Sequence, residues 1–256
     1  MTDTSTPSSG GSAPEISVVV PVRNEAANIL PLISEIEAAL GAVAPFEIVY
    51  VDDGSTDETL KILTRAMADH PCLRVFRHDP GCGQSQAIAT GVRNARGPVI
   101  ATLDGDGQND PADIPALLAH WRKADAARRP RLMVAGWRAN RQDTSSRRWA
   151  SKMANAIRSA ALGDATPDTG CGTKLFPKDL FLEFPRFNHM HRFLPALTIR
   201  AGGTVESVVV NHRPRREGRS NYGNLGRALV GLPDLLGVMW LMRRPSRPDA
   251  REIARP

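Results

Sequence analysis

Cysteine is scarce in this chain of 256 residues, which contains only Cys72, Cys82 and Cys171. Three scattered cysteines cannot form a disulfide framework or a zinc site with four cysteine ligands. Such cysteine usage is typical of proteins from a reducing compartment. The composition is otherwise that of a globular protein, with 41% hydrophobic and 23% charged residues. We therefore expect one large or two small domains with a hydrophobic core.

The sequence also lacks an apolar run of about 20 residues, the length that a membrane-spanning helix needs. Residues 228–242 come nearest to one, but they include Pro233 and Asp234. At about 1.5 Å per residue this segment would extend roughly 22 Å, whereas the hydrocarbon core of a bilayer is about 30 Å thick. Residues 1–14 are rich in Ser, Thr, Gly and Pro. They predict a disordered leader with no export signal.

An excess of basic charge is missing from most of the chain. The formal net charge is +6, from 33 Lys+Arg and 27 Asp+Glu. Residues 211–256 hold ten arginines and four acidic residues, so the whole excess lies there and residues 1–210 are neutral. A general nucleic-acid-binding protein spreads basic charge over its main domain. The distribution makes nucleic-acid binding the weakest hypothesis and predicts a neutral body with a basic C-terminal segment.

Strand and helix patterns alternate along the first hundred residues, which predicts an α/β fold with a mostly parallel, doubly wound sheet and helices on both faces. The predicted strands are residues 16–21, 46–51, 73–76 and 98–103. The predicted helices are residues 25–40, 56–68 (with Ser55 as N-cap) and 84–94. Beyond them we predict strands at 133–136 and 204–210 and a helix at 145–162. Ligands bind at the carboxyl ends of the strands in such sheets.

Acidic residues follow the predicted strands at that edge. Asp52 and Asp53 follow the second strand, and residues 104–110 read DGDGQND after the fourth. Asp104 and Asp106 are two residues apart, so an extended segment would point both carboxylates the same way. Like charges so close favour a hard divalent cation, Mg²⁺ or Mn²⁺, with Gln108 as a neutral oxygen ligand. The chemistry that this suits is departure of a diphosphate.

These segments, in this order, resemble family-2 glycosyltransferases of the GT-A fold. The motifs are PVRNE at residues 21–25, VDDGSTDET at 51–59 and DGDGQNDP at 104–111. Within the family, the D-x-D-x-Q form is most similar to the dolichol-phosphate mannosyltransferase-like branch, the polyprenyl-phosphate glycosyltransferases. The resemblance covers residues 16–244. It implies a GT-A domain at 15–222, a membrane-associating amphipathic helix at 223–244 and a basic tail at 245–256.

The resemblance implies roles for individual residues. Asp104, Asp106 and Arg215 would be catalytic, and the metal would be held by Asp104, Asp106 and Gln108. The implied donor-binding residues are Pro21, Arg23, Glu25, Tyr50 (through its backbone), Asp52, Asp104, Gly105, Asp106, Arg138 and Arg215. The implied ligands of an acceptor phosphate are Arg138, Lys174, Arg192 and Arg219. Arg215, Gly218 and Ser220 match the family's R-x-x-G-x-S-K loop, but Asn221 replaces its lysine, which removes one cation from the loop that would bind the diphosphate.

The glycine-rich segment at residues 81–85, GCGQS, precedes a predicted helix. A glycine-rich turn at a helix N-terminus can cradle a phosphate. The segment matches neither a Walker loop nor the G-x-G-x-x-G pattern after a first strand. We interpret it as a structural loop.

Two motifs of related enzymes are absent. The first is an E-D dipeptide, in which many family-2 enzymes that glycosylate hydroxyl groups carry their general base. The second is the Q-x-x-R-W motif of processive polysaccharide synthases, and its absence argues against such an activity. A hydroxyl needs a base to remove its proton, whereas a phosphate is already an anion. The absence favours a lipid phosphate as acceptor. Asp168 leaves open a rival, transfer to a hydroxyl of another lipid such as a lipid A or sphingolipid precursor.

The sequence thus predicts inverting transfer of a sugar from a nucleotide-diphosphate donor to a polyprenyl (undecaprenyl or dolichyl) phosphate. A non-catalytic nucleotide-sugar-binding protein is the rival from another class. The helix at residues 224–242 is too short to span a bilayer, carries apolar residues at helical spacing, and has arginines at both ends. Such a helix lies in the membrane interface. We expect a peripheral protein on the cytoplasmic face of the membrane.

Overall fold

The computed structural model describes residues 13–139, 158, 162–164, 166–213, 224–245 and 252, with the backbone alone for 224–230. The strands are β1 (Ile16–Val22), β2 (Phe46–Asp52), β3 (Leu73–Arg77), β4 (Val99–Thr102), β5 (Leu132–Trp137), β6 (Lys174–Pro177) and β7 (Thr204–Val209). The helices are α1 (Ile29–Leu40), α2 (Thr59–Ala66), α3 (Gln84–Asn94), α4 (Ile114–Lys123), α5 (Lys178–Leu182), α6 (Leu194–Arg200) and α7 (Asn224–Met242). Most of the predicted helix at 145–162 lies outside the described residues.

The seven strands form one sheet in the order β3-β2-β1-β4-β6-β5-β7. β1 pairs in parallel with β2 and β4, and β2 pairs in parallel with β3. β6 runs antiparallel to both of its neighbours, β4 and β5. The carboxyl ends of β1, β2 and β4 therefore meet at one edge, and the residues that lead into β6 return to that same edge. This confirms the mostly parallel α/β class.

Two apolar layers cover the sheet because successive residues of a buried strand point to opposite faces. On β1, Val18 and Val20 join the cluster under α1, α2 and α4, while Val19 joins the cluster under α3, α5 and α6. The buried stripe of α1 is Ile29, Leu32, Ile33, Ile36 and Leu40, at the spacing of one helix face. The predicted run from residue 25 begins instead with a 3₁₀ turn at Ala26–Asn28.

The start of α2 corrects one sequence prediction. Ser55 is not the N-cap, because the helix begins at Thr59 and the residue that precedes it is Glu58. The Ser55 hydroxyl accepts a hydrogen bond from the Asn24 amide at 2.9 Å, and its own amide donates to Asp52 Oδ1 at 3.1 Å. Ser55 therefore links the loop after β1 to the loop after β2.

Helix α7 has the bounds that the sequence predicts, Asn224–Met242. Val238 is buried, and Leu235, Met239 and Met242 pack against the second apolar layer. His189 pairs with Asp234 at 2.9 Å, and the Arg200 guanidinium donates to the carbonyls of Leu241 and Arg244 at 3.0 Å. Within the described part of the chain, no helix combines the length and the apolar character needed to cross a membrane.

Candidate active site

The loops after β1 and β2 interlock at the carboxyl edge of the sheet. Asn24 has a left-handed backbone (φ 56°), and its side-chain oxygen accepts a hydrogen bond from the Thr56 amide at 2.8 Å. The Glu25 amide donates to Thr59 Oγ1 at 2.9 Å. This interlock places Arg23 in solvent and leaves Glu25 partly exposed beside it, while Pro21 stays buried in β1.

Asp52 ends β2 as a fully buried carboxylate. One oxygen accepts from the Ser55 amide, while Oδ2 has no hydrogen-bond partner among the described residues. Its nearest cation is Arg77, 3.9 Å away. A buried acceptor without a donor is rare and calls for a partner. An N–H group of a bound base would supply one.

Tyr50 lies two residues before Asp52 with its side chain fully buried in the apolar layer under α1. Burial alone raises the pKa of its phenol above the ordinary range. The phenol is directed into the core, so a nucleotide at the edge can meet this residue only through its backbone. That is the form in which the sequence assigned Tyr50.

The acidic loop after β4 is a turn and not the extended segment from which the sequence argument started. The Gln108 amide donates to Asp106 Oδ1 at 3.1 Å, and the Asp104 amide donates to Asn109 Oδ1 at 2.9 Å. Gly105 lies against β1, where a methyl group would meet Val22 Cγ1 at 2.3 Å. The turn keeps the two carboxylates close by a different geometry, since the charge of Asp106 acts on Asp104.

Burial, and next the charge of Asp106, raise the pKa of the Asp104 carboxyl. The charges of Lys174 and Arg138 oppose this shift. Lys174 is itself buried, which lowers its pKa, and its ammonium donates to the backbone carbonyls of Thr169 and Cys171. Its role towards an acceptor phosphate stays a prediction, and its position favours a supporting role behind Asp104.

The acidic loop fits a divalent cation by the chemistry of its donors. Asp104 and Asp106 offer hard carboxylate oxygens whose mutual repulsion a cation would relieve. Among the described residues there is no cluster of three or more Asp, Glu, His or Cys side chains that could enclose a metal. A cation here would take its remaining ligands from water, Gln108 or a substrate diphosphate. This is the coordination that Mg²⁺ uses when it bridges a protein and a phosphate.

Comparison with known proteins agrees with this arrangement. Residues 17–184 match the family described as Glycosyl transferase family 2. The chain belongs to glycosyl transferase family 2. Among curated proteins it is 35% identical, over 239 residues, to a dodecaprenyl-phosphate galacturonate synthase of Rhizobium johnstonii, covering 91% of this chain and 69% of that protein. It is 35% identical, over 210 residues, to an undecaprenyl-phosphate 4-deoxy-4-formamido-L-arabinose transferase of Pseudomonas fluorescens, covering 81% and 60%.

Solved structures give the same fold. A glucosyl-3-phosphoglycerate synthase from Mycobacterium tuberculosis, solved with Mn²⁺, UDP and glucosyl-3-phosphoglycerate, matches with a TM-score of 0.66. It is 17% identical, and the match covers 93% of this chain and 82% of that one. A mannosyltransferase from Pyrobaculum calidifontis, solved with GDP-Man and Mn²⁺, matches with a TM-score of 0.58 at 25% identity, covering 80% and 58%. The predicted GT-A class is confirmed.

In this family-2 chain, Arg138 is held by Asp168. The guanidinium donates to both Asp168 oxygens, at 2.6 and 2.9 Å, and both side chains are largely buried. Burial works against the charged guanidinium, but its hydrogen bonds to Asp168 together with the nearby charges, first that of Asp168, outweigh burial and raise the pKa of Arg138. Asp168, the base of the rival hydroxyl mechanism, is thus engaged in a bidentate ion pair.

The glycine-rich segment before α3 is a structural loop, as the sequence argument favoured. The amides of Cys82 and Gly83 each donate to Asp53 at 2.7 Å, and His78 Nδ1 lies 2.8 Å from the same carboxylate. These hydrogen bonds overcome the effect of burial and lower the pKa of Asp53. The amides of Cys82 and Gly83 are thus occupied by a side chain of the protein.

Arg192 and His191 form a 3₁₀ turn with Met190 beside the start of α3. His191 Nδ1 lies 2.8 Å from Ser85 Oγ, and burial, followed by the charges of Arg192 and Lys174, lowers its pKa to about 3. His191 is therefore neutral at ordinary pH. Arg192 is partly buried beside it.

The structure does not describe the predicted phosphate-binding loop after β7. Arg215 and Arg219, with Gly218, Ser220 and Asn221, lie outside the described residues. Arg213, which precedes them, pairs with Glu35 and Asp110 at 2.6 Å. Its backbone amide donates to the Gln108 carbonyl at 3.1 Å. Arg213 therefore ties the segment after β7 to the acidic loop.

Three residues that contact Asp104 were not predicted from the sequence. Asn109 binds the Asp104 amide, Gln84 donates to Asp104 Oδ1 at 2.8 Å, and Gly172 lies directly against the carboxylate. Asn109 stood within the motif and could have been assigned there. Gln84 and Gly172 are 20 and 68 residues from Asp104, so only the folded chain shows their contact.

Proposed function

We propose that the protein transfers a sugar from a nucleotide-diphosphate donor to a polyprenyl phosphate, with inversion at the anomeric carbon. The observation that carries the proposal is the pair Asp104 and Asp106 at the carboxyl edge of the sheet, the edge at which Asp52 also ends β2 with one oxygen free of hydrogen bonds from the described residues. The curated relatives bear names of polyprenyl-phosphate sugar synthases and transferases. The chain spans 69% and 60% of their lengths, so their activity comes to it as a proposal.

The reaction is a single in-line displacement. An oxygen of the acceptor phosphate attacks the anomeric carbon, the bond from that carbon to the donor diphosphate breaks, and the electron pair leaves with the diphosphate. The acceptor oxygen is already anionic, so no residue has to remove a proton. This agrees with the engagement of Asp168 by Arg138.

The residues of this chain bind and orient the donor. Asp52 would accept a hydrogen bond from the base, and Asp104 and Asp106 would hold a divalent cation that neutralises the donor diphosphate. When bound, Mg²⁺ or Mn²⁺ neutralises the charge that grows on the departing diphosphate. Arg215 is proposed to join it there, since guanidinium groups bind phosphate oxygens in bidentate fashion.

The test is transfer of radiolabelled sugar to undecaprenyl phosphate, from a panel of UDP- and GDP-sugars with Mn²⁺. We expect a product that mild acid cleaves, and we expect Asp106→Asn to reduce transfer by about 100-fold or more. Asp69→Asn is the matched control, because Asp69 is exposed after α2 near the opposite edge of the sheet. An acid-stable product would exclude a lipid monophosphate as acceptor. Equal transfer by Asp106→Asn would favour a non-catalytic protein.

We further propose that α7 rests on the cytoplasmic face of the membrane. Leu232, Leu236 and Trp240 recur every fourth residue and are 57–60% exposed, although the opposite side of the helix is packed. Arg243 and Arg244 follow them, and the Arg244 guanidinium lies 5.0 Å from the Trp240 ring centroid. An apolar stripe beside cations is the chemistry that an anionic lipid surface binds.

Sedimentation with vesicles of phosphatidylcholine and phosphatidylglycerol tests this placement. Burial of one leucine side chain is worth about 1.5–3 kcal/mol, so Leu236→Asp is expected to lower binding by about tenfold or more. Val43→Asp is the control, because Val43 is also exposed but follows α1. Equal binding of the two variants would show that α7 does not carry membrane attachment.

A further inference from the structure

Gln84, the first residue of α3, contacts the acidic loop from outside it. Its side-chain amide Nε2 donates to Asp104 Oδ1 at 2.8 Å, although the residue itself is exposed. The second oxygen of the same carboxylate lies against Gly172, where a methyl group would approach within 2.3 Å. The carboxylate is thus oriented by a hydrogen bond to one oxygen and by close packing on the other.

The backbone of Gln84 is fixed by the loop that precedes it. Asp53 accepts hydrogen bonds at 2.7 Å from the amides of Cys82 and Gly83. His78 holds Asp53 from the other side and lies 2.9 Å from Thr90 Oγ1 on α3 through its second nitrogen. These contacts run from the loop after β2 to the segment before α3 and to its second turn, so the position from which Gln84 reaches Asp104 is set by buried and partly buried groups.

The next residue, Ser85, ties the same turn to the 3₁₀ turn at Met190–Arg192. Ser85 is buried, and its hydroxyl lies 2.8 Å from His191 Nδ1 and accepts from the His191 amide at 3.2 Å. The start of α3 is therefore held on both sides. With its backbone held in this way, Gln84 needs only its side-chain torsions to aim the amide at Asp104.

We propose that Gln84 is a positioning residue that orients the Asp104 carboxylate for the divalent cation; this inference rests on the proposed metal site. An amide suits this task because it donates a hydrogen bond without bringing a positive charge that would repel the cation. Groups that orient metal ligands change metal affinity or activity by about 10- to 100-fold when they are removed.

The test compares Gln84→Met with Gln86→Met. Methionine keeps the length of the side chain and the helix propensity but removes the amide donor. Gln86 lies on the same helix two residues further on, so the control makes the same chemical change away from Asp104. Mn²⁺ binding is measured by isothermal titration calorimetry in the presence of saturating UDP or, separately, GDP.

We expect Gln84→Met to weaken Mn²⁺ binding by about tenfold or more while Gln86→Met stays within twofold of the wild type. The melting temperature of Gln84→Met should not change, because Gln84 is exposed. Raising the Mn²⁺ concentration should restore the rate of sugar transfer, since a positioning defect in the metal site changes the metal requirement. Gln84→Asn, whose amide is one methylene shorter, should weaken Mn²⁺ binding as well.

Equal Mn²⁺ affinity of Gln84→Met, Gln84→Asn and the wild type would overturn the inference and leave the proposed function intact. A wild-type protein that binds no Mn²⁺ with either nucleotide would overturn the metal site itself, and the inference with it. A rate defect of Gln84→Met that excess Mn²⁺ cannot restore would also contradict a positioning role.

Discussion

Gly172→Ala is the substitution for which the structure gives the sharpest expectation. A methyl group at residue 172 would lie 2.3 Å from Asp104 Oδ2, 2.5 Å from Asp104 Cγ and 2.7 Å from Asn109 Oδ1. Ordinary contacts begin near 3.4 Å, so the carboxylate and the methyl group must separate by about 1.1 Å. Gly172 leads into β6, which is paired with both β4 and β5, and its carbonyl accepts from Thr102 Oγ1. The Asp104 side chain is therefore the part that moves.

Two losses follow from that displacement. Overpacking in a well-packed site costs about 1–3 kcal/mol of stability. A misplacement of about 1 Å in a reacting site can reduce the rate by about 100-fold. We expect Gly172→Ala to reduce sugar transfer by about that factor and to need more Mn²⁺ for half-maximal rate. The assays are Mn²⁺-dependent transfer of labelled sugar and urea unfolding.

Gly170→Ala is the matched control. A methyl group at residue 170 meets Arg138 Nη2 at 3.3 Å and Asp168 Oδ1 at 3.7 Å, which requires a shift of at most a few tenths of an ångström. Gly170→Ala should therefore keep most of its activity. If Gly172→Ala transfers sugar at the wild-type rate, or if Gly170→Ala loses as much, then contact with Asp104 is not what residue 172 controls.

Two further predictions concern buried ionisable groups. The pKa of His191 is lowered to about 3 in the folded protein, so between pH 6.5 and 3 the unfolded chain binds the proton first and stability falls as pH falls. Between pH 6.5 and 5, wild-type stability should therefore drop by roughly 1.6 kcal/mol more than that of His191→Asn in urea unfolding; equal slopes would refute this. Asp168→Asn breaks the buried pair with Arg138 and should cost about 3–5 kcal/mol of stability without shifting the pH–rate profile. A shifted profile with unchanged stability would instead identify Asp168 as a general base.

The elements that the sequence predicted well are those whose signal is local. Helices α3 and α7 have the bounds that their sequence patterns predict. Strands β1 and β2 each extend one residue beyond their predicted C-terminal ends. β6 was not predicted, because it has only four residues and one of them is the charged but buried Lys174. Its strand conformation depends on its pairing with β4 and β5. Such pairing is a tertiary property that no short window of sequence contains.

The sequence correctly predicted that Asp104 and Asp106 lie close together, but it assumed the wrong backbone geometry for the acidic loop. Spacing predicted that Asp104 and Asp106 act together, on the assumption of an extended segment. The structure has a turn there, with Gln108 donating to Asp106 and Asn109 accepting from Asp104. A turn of this kind depends on side-chain hydrogen bonds to the backbone, which compete with extended structure wherever Asp and Asn cluster.

The attachment of α7 has a consequence for how the protein would sit on a bilayer. His189 and Arg200 bind the helix near its middle and at its end, and its packed side lies against the second apolar layer under the sheet. If α7 touches lipid through Leu232, Leu236 and Trp240, its contacts with the sheet set the tilt of the sheet and the height of the acidic loop above the headgroups. The lipid phosphate would have to reach that height. The distance between α7 and the carboxyl edge of the sheet therefore determines how far the acceptor phosphate must move out of the membrane.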